Sequence, residues 1–278
     1  EEVKEIEIPI LPMDFQKKIK DNFEEANKKR IQSQTLYRQA EELLLETIGL
    51  KDFQPTQENK SVKSFSESFL ATGRLDAEYY QPKYEDYLQL IWSYSNGFEL
   101  LQDVCNLKDS NFTPEDNIEY KYIELSDIGK SGDITGCTIA QGTELPTRAR
   151  RTVKTNDVII SSIEGSLSSC ALITIDYNNA LCSTGFYVIN SKKINSETLL
   201  VLFKSELMQN ILKQNCSGTI LTAINKTEFQ NIPVPLIENE VQQQISELIE
   251  KSFYLCEESK RLLDEAKDMV EREIGKNS

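Results

Sequence analysis

Residues 145 to 156, Leu-Pro-Thr-Arg-Ala-Arg-Arg-Thr-Val-Lys-Thr-Asn, carry Arg148, Arg150, Arg151 and Lys154 with no acid among them. The rest of the chain has the opposite character, since 45 acidic against 31 basic residues leave a net charge of −14. Overall charge therefore gives no attraction to nucleic acid, and any such surface must be local. Arginine forks match phosphate oxygens and the O6/N7 edge of guanine, which makes this segment a candidate nucleic-acid contact. The alternative is a solvated loop whose cations pair with nearby acids. Three polar, glycine-bearing loops, Ser126 to Gly132, Glu164 to Ser169 and Ser217 to Lys226, offer hydroxyls, amides and Lys130 or Lys226 at expected strand ends. They suit base or phosphate contacts and suit ordinary turns equally well.

Other chemistry finds little support. With no histidine in 278 residues, the chain alone supplies no Ser-His-Asp or Cys-His catalysis and few of the usual zinc or iron sites. Gly129-Lys130-Ser131 resembles the end of a phosphate loop, but Glu124 stands where the first glycine is needed, so there is no backbone cradle. No glycine-rich dinucleotide fingerprint follows a strand, and the Asn-Pro-Pro-aromatic signature of an amino-methyltransferase is missing. The six cysteines, at 105, 137, 170, 182, 216 and 256, form no C-x-x-C pair and read as reduced, buried thiols. The expectation is a protein that is not itself an enzyme and holds no metal or cofactor of its own.

The elements that must position these residues emerge when the sequence is compared with itself. Residues 6 to 49 match residues 232 to 275 without a gap, at an offset of 226, and ten of the 44 positions are identical. Composition alone would give roughly three. The identities include Ile6/Ile232, Pro9/Pro235, Gln16/Gln242, Ile19/Ile245, Ser33/Ser259, Leu36/Leu262, Ala40/Ala266 and Gly49/Gly275. Each copy reads as a short apolar strand, an acidic turn and a long helix. In the second copy Val241, Ile245, Leu248, Ser252, Leu255, Ser259, Leu262, Ala266 and Met269 alternate steps of four and three, the seam of a coiled coil. The first copy places Phe15, Ile19, Asn22, Ala26, Lys29, Ser33, Leu36, Ala40 and Leu43 in the same register. Gly49 and Gly275 suit left-handed caps at the two helix ends. From Val241 to Ile274 such a helix is roughly 50 Å long.

Between the copies, Lys51 to Lys63 is polar and aperiodic, a linker. A globular region follows, opened by a helix bearing Tyr79, Tyr80, Tyr84 and Tyr87 that reads as core packing. It continues through strands near Tyr120–Leu125, Asp157–Ile163, Cys170–Ile175 and Gly185–Ile189 to a helix over Leu199–Asn215. No apolar run approaches the roughly 18 residues of a membrane span, and the N-terminus lacks a signal-peptide pattern. A cytoplasmic location without a membrane partner is expected.

Several of these stretches together resemble the DNA-specificity subunit of type I restriction-modification enzymes. They are Arg74-Leu75-Asp76-Ala77-Glu78-Tyr79-Tyr80, Cys182-Ser183-Thr184-Gly185-Phe186, Ile224-Asn225-Lys226, Ile232-Pro233-Val234-Pro235-Leu236 and the Gln242-Gln243-Gln244-Ile245 helix start. With the repeat, the resemblance covers nearly the whole chain. It implies an α+β fold: one mixed α/β target-recognition domain flanked by two long helices that pair as an antiparallel coiled coil. The implied boundaries are a closing strand or linker of a preceding domain at 1–13, a first helix at 14–50, a linker at 51–65, the target-recognition domain at 66–237 and a second helix at 238–278.

The resemblance further implies a non-catalytic subunit of a host-defence complex that reads one half of a bipartite DNA target and docks methyltransferase subunits. Those subunits bring S-adenosylmethionine and methylate adenine, while separate restriction and motor subunits cleave. The partners implied are double-stranded DNA, methyltransferase subunits, restriction subunits through the complex, and a second copy or another specificity half. The DNA contacts expected are Arg148, Arg150, Arg151 and Lys154 first, then Lys130, Ser166, Thr219, Asn225 and Lys226. The sequence departs from the family pattern in holding a single recognition domain and in opening, without methionine, in what reads as a closing strand. It is thus read as the C-terminal part of a longer subunit or as a half-subunit. Competing readings are a coiled-coil scaffold that never touches DNA and the recognition fragment of a single-chain restriction-modification enzyme.

Overall fold

The computed structural model describes residues 10–218 and 221–275. The strand expected over residues 6–10 therefore lies almost wholly outside the described residues, as does most of the 1–13 segment. The chain divides into two compact units, residues 1–39 with 247–278, and residues 40–246.

In chain order the helices are α1 (Met13–Thr47), α2 (Phe69–Thr72), α3 (Pro82–Trp92), α4 (Leu101–Val104), α5 (Ser196–Lys204), α6 (Glu206–Gln214), α7 (Lys226–Gln230) and α8 (Asn239–Gly275). The strands are β1 (Phe98–Leu100), β2 (Cys105–Lys108), β3 (Glu119–Ile123), β4 (Thr138–Gln141), β5 (Ala149–Thr152), β6 (Val158–Ser161), β7 (Cys170–Leu172), β8 (Leu181–Ser183), β9 (Phe186–Ser191), β10 (Cys216–Ser217), β11 (Ala223–Ile224) and β12 (Pro233–Pro235).

The helical unit pairs α1 with α8. Ser33 Oγ meets Ser252 Oγ at 3.1 Å, and the Ser259 hydroxyl donates to the Ala26 carbonyl at 2.7 Å. Stepping seven residues back along α1 thus moves the contact seven residues forward along α8, so the helices run antiparallel. The repeat aligns Ser33 with Ser259 and Ala26 with Ser252, so a two-fold relation between these contacts exchanges the two copies. All nine seam positions read from each helix are buried or half-buried. The small residues Ala26, Ser33, Ser252 and Ser259, each no more than 5% exposed, allow the backbones to approach closely enough for side chain to carbonyl bonds. Gly49 takes the left-handed conformation of a helix cap, φ +77°, whereas Gly275 is the last residue of α8 itself.

The other unit carries two four-stranded sheets, ordered β2-β9-β6-β7 and β4-β3-β8-β5, and two short pairs, β1-β12 and β10-β11. Among the described residues, all strand pairings are antiparallel except β3 with β8. The turn Ser183-Thr184-Gly185 carries the chain from β8 in one sheet to β9 in the other. One core cluster draws on both sheets, with Ile123 and Cys182 from one and Ile159, Ala171, Phe186 and Val188 from the other. Helix α5 is apolar all round, and Leu199, Leu200, Val201, Leu202 and Phe203 are fully buried. Each such side chain contributes about 1.5–3 kcal/mol.

The continuous helix expected over Leu199–Asn215 is broken at Ser205, whose ψ of 152° leaves the helical region. Its hydroxyl accepts from the Met208 N–H and caps α6, the local competition that places serine at helix starts. Tyr84 and Tyr87 on α3 are core residues, and each hydroxyl donates to a glutamate: Tyr84 to Glu78 at 2.5 Å and Tyr87 to Glu206 at 2.6 Å. Arg74 forms a fork with Asp76 at 2.7 and 2.8 Å, donates to the Cys216 carbonyl and lies over the Tyr79 ring. That fork holds the Asp76 carboxyl below its ordinary range.

Gln242 fixes the start of α8. Its Oε1 accepts the Asn195 N–H at 2.8 Å, its Nε2 donates to the Lys193 and Ile237 carbonyls, and its own carbonyl accepts from Asn195 Nδ2 at 2.9 Å. At 6% exposure, this glutamine is satisfied entirely by protein.

Candidate nucleic-acid interface

The basic segment forms the edge strand β5. Ala149, nearly inaccessible, and the fully buried Val153 anchor its two ends in the core. Between them the register slips: Ala149 pairs with Ser183 and Arg151 with Cys182, which places a β-bulge at Arg150. A bulge re-aims side chains, and here it falls within the run of arginines. The Arg150 carbonyl accepts the Phe112 N–H at 2.7 Å, so residues before β3 cover part of this edge. The Arg150 guanidinium donates to the Thr147 carbonyl at 2.9 Å and reaches Thr113 Oγ1 at 3.4 Å.

Backbone bonds tie this strand to two of the loops singled out in the sequence. Thr184 N–H donates to the Arg148 carbonyl, Ser162 N–H to the Gly185 carbonyl, and Ile224 N–H to the Ser162 carbonyl, each at 2.9 Å. Glu164 N–H adds a bond to the Thr222 carbonyl at 3.0 Å. Arg148, the Ser183–Gly185 turn, the 162–169 loop and the segment entering α7 thus form one hydrogen-bonded group. This group contains Arg148, Ser166, Asn225 and Lys226, with Arg150 and Arg151 following along β5.

Two cations of the group are already paired. Arg148 meets Glu124 at 3.0 Å, and Lys226 bonds the Asp109 carboxylate. The Lys226 hydrogen bond holds Asp109 below the usual carboxylate range, and the charge of Arg151 acts in the same direction. Arg151 is half-buried, and its Nε and Nη1 are buried with no hydrogen-bond partner among the described residues. Opposite it, burial pushes the Cys182 thiol far above its ordinary value, so this cysteine is no nucleophile.

The remaining residues stand apart or act locally. The Ser166 hydroxyl bonds Ser161 Oγ at 2.9 Å, and the Asn225 side chain caps α7 by accepting the Glu228 N–H at 3.0 Å. Lys154 follows the other end of β5, in a turn where its N–H donates to the buried Asp157 carboxylate at 2.8 Å. Lys130 is exposed on the Gly129–Gly132 turn, which joins β7 through the Leu172 N–H to Gly132 carbonyl bond. Thr219 lies outside the described residues. Asp109, Thr113 and Tyr187 were not singled out in the sequence, and Glu124 drew notice there only as the residue in place of a phosphate-loop glycine. Tyr187, whose hydroxyl donates to the Ile224 carbonyl, stacks on Phe229 at 4.2 Å and props the start of α7.

The family described as the type I restriction modification DNA specificity domain matches residues 98–267. The chain belongs to this family. The match is to the DNA-recognition component of these systems, not to a catalytic one. A solved chain from work on complex assembly and conformational transition of the type I restriction-modification system is 28% identical, with a TM-score of 0.50 over 63% of this chain and 46% of that one. The HsdS subunit from Thermoanaerobacter tengcongensis is 26% identical over the same shares, with a TM-score of 0.48. The type I restriction-modification S subunit from M. genitalium is 14% identical, covering 97% of this chain and 61% of that one, at a TM-score of 0.43. No curated protein matches. The chain spans about half the length of the first two solved relatives, 46%. Among the described residues of this specificity domain, no helix is long and apolar enough to cross a membrane.

Proposed function

We propose that the chain is the sequence-specific DNA-binding part of a type I restriction-modification specificity subunit, reading one half of a bipartite target. In this reading residues 66–237 recognise DNA, while the helices of 14–50 and 238–278 hold methyltransferase subunits and set the spacing to the other half-site. S-adenosylmethionine belongs to the methyltransferase partner, and restriction subunits join through the same cytoplasmic complex. The observation that carries the reading is the hydrogen-bonded group joining Arg148, the Ser183–Gly185 turn, the 162–169 loop and Lys226 within the family-matched domain. A basic edge strand beside turn-borne amides and hydroxyls supplies both donors for phosphates and forks for base edges.

The contacts proposed are Arg148, Arg150, Arg151 and Lys226, with Lys130, Lys154, Ser166, Thr219 and Asn225 in supporting places. The test is adenine methylation mapped across a genome after co-expression with the neighbouring methyltransferase subunit. A bipartite motif is expected, and a palindromic one would mean that two copies act together. Replacing Arg150 and Arg151 together by alanine should abolish that methylation while the methyltransferase still co-purifies. Unchanged DNA affinity of this double variant at moderate salt would overturn the assignment of these arginines.

A further inference from the structure

Arg150 is held at four points. Its N–H donates to the Arg148 carbonyl at 3.0 Å, and its carbonyl accepts the Phe112 N–H at 2.7 Å. Its Nε donates to the Thr147 carbonyl at 2.9 Å, and its Nη1 reaches Thr113 Oγ1 at 3.4 Å. The two side-chain bonds sit on different nitrogens, which fixes the guanidinium plane, and neither uses Nη2. The brace is itself anchored, because Phe112 packs against the core cluster of Tyr122, Ala149 and Leu181 with its ring 5.9 Å from that of Tyr120, and Thr113 follows it directly. All four partners of Arg150 are neutral. The other cations are held otherwise. Arg148 and Lys226 each pair with a carboxylate, an anion that a phosphate replaces in kind. Arg151 has Nε and Nη1 buried, which leaves at most Nη2 to face outward and so no fork.

We propose that Arg150 is a specificity-determining residue, reading a guanine in the major groove through Nη1 and Nη2, and that Thr113 is its positioning residue. Guanine is the base whose major-groove edge sets two acceptors, O6 and N7, side by side, as a fork of donors alone requires. A fork already fixed in the free protein gives up little freedom on binding, so its orientation discriminates between bases instead of following a mobile phosphate. The neutral surroundings act in the same direction, since no ion pair has to be broken before a neutral base edge is met. The proposal rests on the DNA-binding reading above and names the base that one of its residues selects.

The test is selection of binding sites by the purified chain from a randomised duplex pool, with the enriched sequences read for the parent and for two variants. The parent should enrich a motif that contains a guanine. Arg150→Ala should lose the preference for guanine at one position by about 5- to 150-fold and keep the rest of the motif. Thr113→Val leaves the arginine in place and should weaken the preference at that same position several-fold, whereas a general loss of stability would weaken the whole motif evenly. This second variant carries the test alone if Arg150→Ala does not fold. A motif unchanged by the variants, with affinity lowered evenly and the salt slope reduced by about one in Arg150→Ala, would assign Arg150 to a phosphate and overturn the proposal. A parent that enriches no motif would overturn the DNA-binding reading itself, and the proposal with it, so the two failures are told apart.

Discussion

Ser252 on α8 reaches Ser33 on α1 twice, hydroxyl to hydroxyl at 3.1 Å and hydroxyl to the Ser33 carbonyl at 2.8 Å. Both residues are almost wholly buried, so these bonds replace contacts that water would otherwise make. Ser252→Ala should cost about 1–3 kcal/mol, because it leaves the Ser33 oxygens short of a donor. Adding Ser33→Ala should cost less than the sum of the single changes, since both partners of one bond are then gone. Urea denaturation of the three variants checks both statements.

If Arg148 and Lys226 contact DNA as proposed, the carboxylates of Glu124 and Asp109, which they pair with here, compete with it for them. Glu124→Gln with Asp109→Asn should tighten binding to random duplex and steepen its salt dependence by about one counterion for each cation released. Affinity measured across a salt series gives the slope directly. An unaltered slope would show that neither cation meets phosphate.

Gly132 has φ +75°, and a Cβ there would lie 2.5 Å from Leu200 Cδ1 and 3.1 Å from the Cys170 carbonyl oxygen. Gly132→Ala therefore combines backbone strain with a clash against the fully buried α5, and should cost about 1–3 kcal/mol. Thermal denaturation reads it. Gly136→Ala, where nothing lies within 4 Å and φ is negative, is the matched control.

The Arg74 fork lowers the Asp76 pKa on folding. A depressed carboxyl pKa contributes stability above the unfolded value of about 3.9, and that stability is lost as pH falls through the folded value. Asp76→Asn should be less stable than the parent at neutral pH, with the difference narrowing below about pH 4. Because Asp76 is partly solvated, the effect should be modest and should weaken in salt. Urea midpoints from pH 3 to 7 would show it.

The helix pair was legible because a seam imposes spacing: steps of four and three over 29 residues of α8, from Val241 to Met269, leave little freedom, and an ungapped repeat fixes the register twice. Strands β3, β6, β7, β9 and β12 were legible in place, whereas β1, β2, β4, β5, β8, β10 and β11 were not, and the pairing was not legible, since β3 lies beside β8 across more than 50 residues of intervening chain. The site was legible only as a local excess of arginine. Arg148 and Lys226 find acids 24 and 117 residues away, separations that composition does not encode. Ser166 and Asn225 have polar side chains suited to bases, yet both serve their own backbone, as short hydroxyl and amide side chains do at turns and helix starts. The bulge at Arg150 leaves no sequence mark, because the extra residue is an ordinary strand residue.

The exchange of Ser33 with Ser259 and of Ala26 with Ser252 makes the helix pair a palindrome in space. Such an object has no head or tail of its own. Any feature held in common by both copies is offered twice, pointing in opposite directions, so a partner that grips only common features meets two equal seats and loads in twos. Polarity then rests on the positions where the copies disagree, such as Lys29 against Leu255 at the middle of the seam and Tyr37 against Leu263 farther along.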